Sequence, residues 1–263
     1  MKKIFDQHMH SNFSFDSQES IENYIKITKD NDIVTTEHND FAIPHFNFKD
    51  MLLNYEKYSA KINELNQKYD NKFFKGIEID FLKSKEKEIL GYLSEKEFDL
   101  KLLSIHQNGE YDYMHMGNRE FNISELMEKY YTLMIEALES PVKANVLAHF
   151  EYGIRNKKVD IIQLDEVAGR YLDKIIDLLI KNEMALELNT KSMYLYNKVN
   201  LYEYMVEKAV RKGLKLFSLG SDAHDISKYA YKFDEASEIL LKNGISELAI
   251  FKKEKIEMLN IKG

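Results

Sequence analysis

The stretch FDQHMHSNFSFDS, residues 5–17, places His8 and His10 two apart where a short apolar run ends, and follows them with Asp16 among small and polar residues. The chain has only eight histidines, and two of them are here. Side chains two apart leave the same face of an extended backbone, so His8 and His10 point to one side. What such a pair does depends on where the other polar residues recur.

They recur at the ends of further apolar runs. Strands are expected over KIFDQH (3–8), DIVTTEH (32–38), FFKGIEI (73–79), LKLLSIH (100–106), ANVLAHF (144–150), MALELNT (184–190) and LKLFSLG (214–220). Each has the length and the β-branched or aliphatic content of a strand buried on both faces. His38, His106 and His149 fall at or beside the ends of their runs, and Glu78 sits near the end of the third. The last run leads into GSDAH, where Asp222 and His224 are again two apart.

Helical patterns fill the intervals. Met51, Tyr55, Tyr58, Ile62, Leu65 and Tyr69 step by four and three along one face. Ile123, Met127, Tyr130, Met134 and Leu138 keep the same rhythm, with Ser124 as the expected N-cap. Leu164, Ala168, Tyr171, Ile175 and Leu179 mark a third helix, and Gly213 and Gly244 are placed as left-handed C-terminal caps. Seven strands alternating with helices imply an α/β fold with a parallel sheet and helical crossovers, close to a closed barrel. The C-terminal strand ends of such a barrel open onto one rim, where sites are built. Polar residues from position 8 to position 224 would then converge.

Bulk composition narrows the classes. A length of 263 residues with 44% hydrophobic and 31% charged residues suits one large domain over residues 1–263 with a sizeable core. The two prolines, Pro44 and Pro141, and the lack of a Gly/Ser-rich tract leave no linker or domain boundary. A net charge of -7 argues against nucleic acid or an anionic membrane as partner of the whole surface. Cysteine is absent, which excludes disulfides and thiolate metal sites, so a metal would need nitrogen and oxygen ligands. MKKIFDQHMH reaches polar residues before an apolar signal-peptide core can form, and no apolar run approaches the roughly 18 residues of a membrane helix. A soluble, cytoplasmic protein is expected.

Taken singly, each polar residue has a bland explanation. One histidine near a strand end is usually a hydrogen-bonding residue, and Glu78 could be half of a buried ion pair. Six of eight histidines at the same ends of successive strands, with Glu78 and Asp222 among them, are costly to bury together. Cations remove that cost, and a metal cluster is expected. His45 and His115 lie in loops and are expected at the surface.

Assembled in order, HMH with Asp16, TEH at 36–38, Glu78, SIH at 104–106, AHF at 148–150 and GSDAH at 220–224 resemble the motifs of the polymerase-and-histidinol-phosphatase (PHP) family. The resemblance runs along essentially the whole chain. ALELNTKSMYLY is similar to the stand-alone histidinol phosphatases within it. It implies a distorted, TIM-like (β/α)7 barrel with three divalent metal ions, for which zinc, manganese and iron are equally suited. Carried over residue by residue, it implies one metal on His8, His10, Glu78 and Asp222. A second would share Glu78 and add His106 and His149, and a third would take Asp16, His38 and His224.

Such a site would carry a net charge of about +3, suited to a phosphate dianion. The expected reaction is in-line attack of metal-bound hydroxide on a small phosphomonoester, with L-histidinol phosphate, a step of histidine biosynthesis, as the implied substrate. Arg155, in HFEYGIR, and Lys191, just past ELNT, are the expected phosphate-binding cations. Relatives use two arginines, so Lys191 departs from the pattern, and lysine binds phosphate as a point charge without the bidentate fork. The substrate's ammonium and imidazole are expected to meet residues of the loops 39–48 and 107–120. Three alternatives remain: a phosphoesterase for nucleotides or other small phosphomonoesters, a metal-dependent amidohydrolase, and a barrel kept as a binding module.

Overall fold

Aliphatic and aromatic residues on both strand faces draw the parallel strands to the centre of the molecule, where helices cover them. The computed structural model describes residues 5–28, 31–116 and 121–261. Its strands are β1 (Ile33–Ile43), β2 (Lys49–Met51), β3 (Phe73–Asp80), β4 (Leu100–Ser104), β5 (Val146–Leu147), β6 (Ala185–Asn189), β7 (Phe217–Gly220), β8 (Glu247–Lys252) and β9 (Lys255–Asn260). Its helices are α1 (Ile21–Thr28), α2 (Tyr55–Lys68), α3 (Glu86–Ser94), α4 (Ile123–Glu139), α5 (Ile161–Lys181), α6 (Thr190–Leu195), α7 (Val199–Lys212) and α8 (Phe233–Lys242). The main sheet runs β2-β1-β3-β4-β5-β6-β7, parallel throughout except for β2, which turns back on the end of β1. No helix among the described residues is long and apolar enough to cross a membrane.

The first expected strand takes a different form. Lys3 and Ile4 lie outside the described residues, and the rest joins the two edges of the sheet without a regular ladder. On one side Gln7 N donates to Leu219 O at 3.2 Å, Asp222 N to His8 O at 2.7 Å and His10 N to Ala223 O at 2.7 Å. On the other, Thr36 N donates to Met9 O at 2.8 Å. The Asp6 carboxylate intercepts donors that a ladder would use, accepting from His8 N at 3.2 Å and Ser221 N at 3.0 Å. The barrel is therefore drawn together through this segment, and the distortion lies where His8 and His10 are presented.

Two further details depart from the sequence reading. Asn122, not Ser124, caps α4: its side chain accepts from Ser124 N and Glu125 N, and Ser124 lies inside the first turn. The hairpin β8–β9 was not expected; the side chain of Gln7 ties it to the barrel, donating to Ala249 O at 2.7 Å and accepting from Phe251 N at 2.7 Å. Gly213 and Gly244 have φ of 95° and 81°, as left-handed caps require. Tyr58, Ile62 and Leu65 of α2 and Leu164, Ala168, Ile175 and Leu179 of α5 bury the faces read from their spacing, but Met51, read as the start of the first of these helices, lies in β2 instead.

β1 and β3 approach closely at Gly76, which pairs with Thr36. A Cβ at Gly76 would stand 2.5 Å from Thr35 O and 2.7 Å from Thr36 Cγ2. Gly76→Ala should cost about 1–3 kcal/mol as an overpacked contact and lower the thermal midpoint by roughly 2–4 °C per kcal/mol. An unchanged melting curve would show that the two strands can separate there freely.

Candidate metal centre

Alternation along the strands decides which polar side chains turn inward. His38 and Asp40 on β1, Glu78 and Asp80 on β3, and Glu187 and Asn189 on β6 are pairs two residues apart, and all six side chains are buried. Parallel register sets His38 directly beside Glu78. His106, His149 and Asp222 follow β4, β5 and β7 by two residues at the same end of the barrel. Asp222 adopts a positive φ of 52°, a conformation Asp tolerates better than most residues, as the chain turns toward His224.

Five imidazoles surround the carboxylate of Glu78. Its Oε1 lies 2.8 Å from His149 Nε2 and 3.1 Å from His106 Nε2. Its Oε2 lies 3.2 Å from His8 Nε2, 3.4 Å from His10 Nε2 and 3.2 Å from His38 Nδ1. Asp16, at the solvent side, stands 2.9 Å from His224 Nε2 and 3.4 Å from His38 Nε2. Asp222 Oδ1 faces His10 Nε2 at 3.8 Å and His224 Nδ1 at 3.5 Å.

All nine expected ligands are thus brought together. Donor atoms of His10, Asp16, His38 and His224 fall within 4.8 Å of one another, as do those of His8, Glu78 and His149, and those of His8, His10 and Asp222. A further set, His38, Asp40 and His106, includes a carboxylate that the sequence reading passed over.

Arg155 and Lys191 reach the same basin, a cavity of about 90 Å³ bordered also by Met114, Tyr152 and Tyr196. Arg155 is buried. Its Nε donates to Glu151 at 3.1 Å, one terminal nitrogen donates to Ser192 and the other lies 3.8 Å from Asp222 Oδ2. The rings of Tyr152 and Tyr196 flank the guanidinium, with centroids 4.6 and 5.2 Å from Cζ. Lys191 Nζ sits 2.9 Å from Asp222 Oδ1 and 3.3 Å from His224 Nδ1. His45 and His115 are exposed as expected, and their rings stack on one another at 3.7 Å. Of the loop 107–120, residues 117–120 lie outside the described residues.

Supporting residues escaped the sequence reading. Glu187 Oε1 holds His8 Nδ1 at 2.6 Å, while Oε2 accepts from the backbone N of His149 at 2.8 Å and from Asn189 Nδ2 at 3.2 Å. Glu151 accepts from Tyr202 Oη at 2.9 Å as well as from Arg155. A carboxylate inside an apolar strand, as in ALELN, was the available sign of Glu187, because such a group is buried only with partners.

The electrostatics favour cations. Burial alone would raise the Glu78 carboxyl, but the charges of His8, His106 and His38 outweigh it and hold the group well below its ordinary range. Burial would likewise lower the His8 imidazole, yet Glu187 and Glu78 raise it well above its usual value. His38 and His106 are raised in the same way, by Asp16 and Glu78 in one case and by Glu78 and Asp40 in the other. His10 goes the other way: burial, then the neighbouring His38 and His224, push it well down, so it stays neutral and able to ligate. His10 Nε2 and His149 Nδ1 are buried with no hydrogen-bond partner among the described residues. Neutral imidazole nitrogen beside carboxylate oxygen is a donor set that suits zinc, and the residues fit the group.

A model of the PHP domain matches residues 6–191. The chain belongs to the PHP family. Its similarity to two PHP-type relatives spans nearly the full length. It is 27% identical to the histidinol-phosphatase of Lactococcus lactis over 98% of this chain and 97% of that one. It is 27% identical to the probable histidinol-phosphatase of Thermotoga maritima over 94% and 95%. The crystal structure of the Lactococcus lactis histidinol phosphate phosphatase, in complex with zinc, L-histidinol and phosphate, superposes with a TM-score of 0.86 at 26% identity, covering 98% of this chain and all of that one. A Listeria monocytogenes structure shares the fold, with a TM-score of 0.73 at 18% identity over 88% of this chain.

In this PHP barrel neighbouring carboxylates raise the imidazoles of His8, His38 and His106 above their usual range, so a ligating metal would compete with protons for them. Zinc added to metal-free protein should release protons, and its apparent affinity should tighten as pH rises through the range from about 6 to 8. Calorimetry in two buffers of different ionisation enthalpy measures the release. Identical heats in both buffers would mean that the imidazoles are already neutral.

Proposed function

We propose that this chain is a metal-dependent histidinol-phosphatase, hydrolysing L-histidinol phosphate to L-histidinol and inorganic phosphate. The observation that carries the reading is the convergence of five imidazoles on Glu78 directly beside two cations, Arg155 and Lys191, that open to the same cavity. The names of the full-length relatives and the L-histidinol and phosphate in the Lactococcus lactis structure support the substrate. The chain acts as one catalytic unit, in a cytoplasmic step of histidine biosynthesis.

In this reading three divalent ions would be held by the nine converging residues. His8, His10, Glu78 and Asp222 hold one. Glu78, shared, holds a second with His106 and His149. Asp16, His38 and His224 hold the third. Zinc, present in the Lactococcus lactis structure, suits these donors, as do manganese and iron. Bound there, the ions supply positive charge opposite the phosphoryl oxygens and the leaving alkoxide.

The chain's own residues bind and orient the substrate. Arg155 is fixed before substrate arrives, because Glu151, Ser192 and two tyrosine rings hold its guanidinium on three sides. The remaining nitrogen faces Asp222 at the cavity floor and is free to exchange that contact for a phosphate oxygen. Lys191, on the other oxygen of Asp222, does the same as a flexible point charge. Burial of Glu78, His8, His10 and His149 strengthens each electrostatic contact among them.

Assayed against a panel of sugar and nucleotide phosphates, the protein should show a kcat/KM for L-histidinol phosphate at least about a hundredfold higher, roughly 2.7 kcal/mol of preference in the transition state. Activity spread evenly over the panel would remove the substrate assignment and leave a general phosphoesterase. A chelator should abolish turnover, with added zinc or manganese restoring it. Lys191→Ala should lower kcat/KM about tenfold, mainly through KM. An unchanged KM would make Lys191 a bystander of Asp222.

A further inference from the structure

Asp40 is buried at the junction of two ligand sets and belongs to neither. It stands two residues beyond His38 on β1, so both side chains enter the barrel from one face. Its Oδ2 lies 3.1 Å from His106 Nδ1, and its Oδ1 lies 3.7 Å from His38 Nδ1. Both Asp40 Oδ1 and His38 Nδ1 are buried without a hydrogen-bond partner among the described residues. Glu78 Oε2 lies nearer to His38 Nδ1, at 3.2 Å, but His8 and His10 approach that same oxygen. Asp40 Oδ1 is the acceptor with no competing claim. The two oxygens of one carboxylate thus face the Nδ1 atoms of two imidazoles whose Nε2 atoms point at Asp16 and Glu78.

Resting on the metal-dependent reading above, we propose that Asp40 is a positioning residue shared by two metal positions, orienting His106 toward one and His38 toward the other. A ligating histidine needs its second ring nitrogen fixed, which sets the tautomer and the ring plane. Here one carboxylate does this for two rings at once and couples the positions they serve. Asparagine cannot replace it, because an amide offers one acceptor oxygen and places an NH2 against the second N–H. Loss of Asp40 therefore weakens two ions and spares the third, held by His8, His10 and Asp222 with Glu78.

The test is zinc binding rather than turnover. Metal-free wild type and Asp40→Asn, matched by circular dichroism, are titrated with zinc against a chromophoric chelator, and bound zinc is counted by mass spectrometry. Two of the ions should bind about 10–100-fold more weakly in the variant, with the remaining ion unchanged. Equal affinities in the two proteins, weakening of fewer than two ions, or uniform weakening of all of them would overturn the proposal. If the variant does not fold, nitrogen-15 histidine spectra of zinc-loaded wild type decide. Protons on Nδ1 of both His38 and His106 support it, and a proton on Nε2 of either ring overturns it. A wild-type chain that takes up no zinc sinks the metal-dependent reading, and this inference falls with it.

Discussion

The buried carboxylate of Glu78, within 3.4 Å of five imidazoles, is the constraint on which the rest of the structure turns. A lone carboxylate at the centre of a barrel costs several kcal/mol unless positive charge meets it. Side chains from four other places in the chain converge to supply it: the segment before α1, β1, and the ends of β4 and β5. Three of the imidazoles are met in turn by a carboxylate or hydroxyl farther out. Glu187 holds His8, Asp40 holds His106, and Ser14 lies against His10. The result is a centre with alternating layers of charge, negative at Glu78, positive or metal-binding around it, and negative again behind.

This layering explains why the barrel is distorted where it is. The segment carrying His8 and His10 must hydrogen-bond to both β1 and β7 while turning two imidazoles inward and the Gln7 side chain outward to β8. Asp6 occupies the backbone donors of His8 and Ser221, so a regular ladder is replaced by a few fixed contacts. Burial pushes the Asp6 carboxyl up to about 6, and its hydrogen bonds to Ser221, Ala230 and His8 oppose that rise. The closing segment is thus held by polar anchors that also fix the side chains of His8 and His10.

Among the cations, Arg155 and Lys191 play different parts for a physical reason. A guanidinium wedged between two tyrosine rings and a buried glutamate is a rigid donor, whereas an ammonium on a flexible stem moves with its partner. One rigid and one flexible cation thus border a single cavity.

Much of this was legible in the sequence. Strand periodicity located six of the parallel strands and the polar residues at or just past their ends, because both depend on local alternation that linear spacing records; the full set of nine came from the resemblance to the family's motifs. The first expected strand, read at 3–8, is an irregular bridge, since Asp6 takes the N–H groups of both His8 and Ser221, more than 200 residues apart. Glu187, Asp40 and Glu151 were missed for the same reason: a carboxylate in a strand or turn gains its meaning from the imidazole, backbone amide or guanidinium it meets across the barrel. Residue types and their period therefore determined which groups face inward. Only the closed tertiary structure decided which pairs touch, because long-range contacts among buried charges are fixed by packing and not by neighbours in the chain.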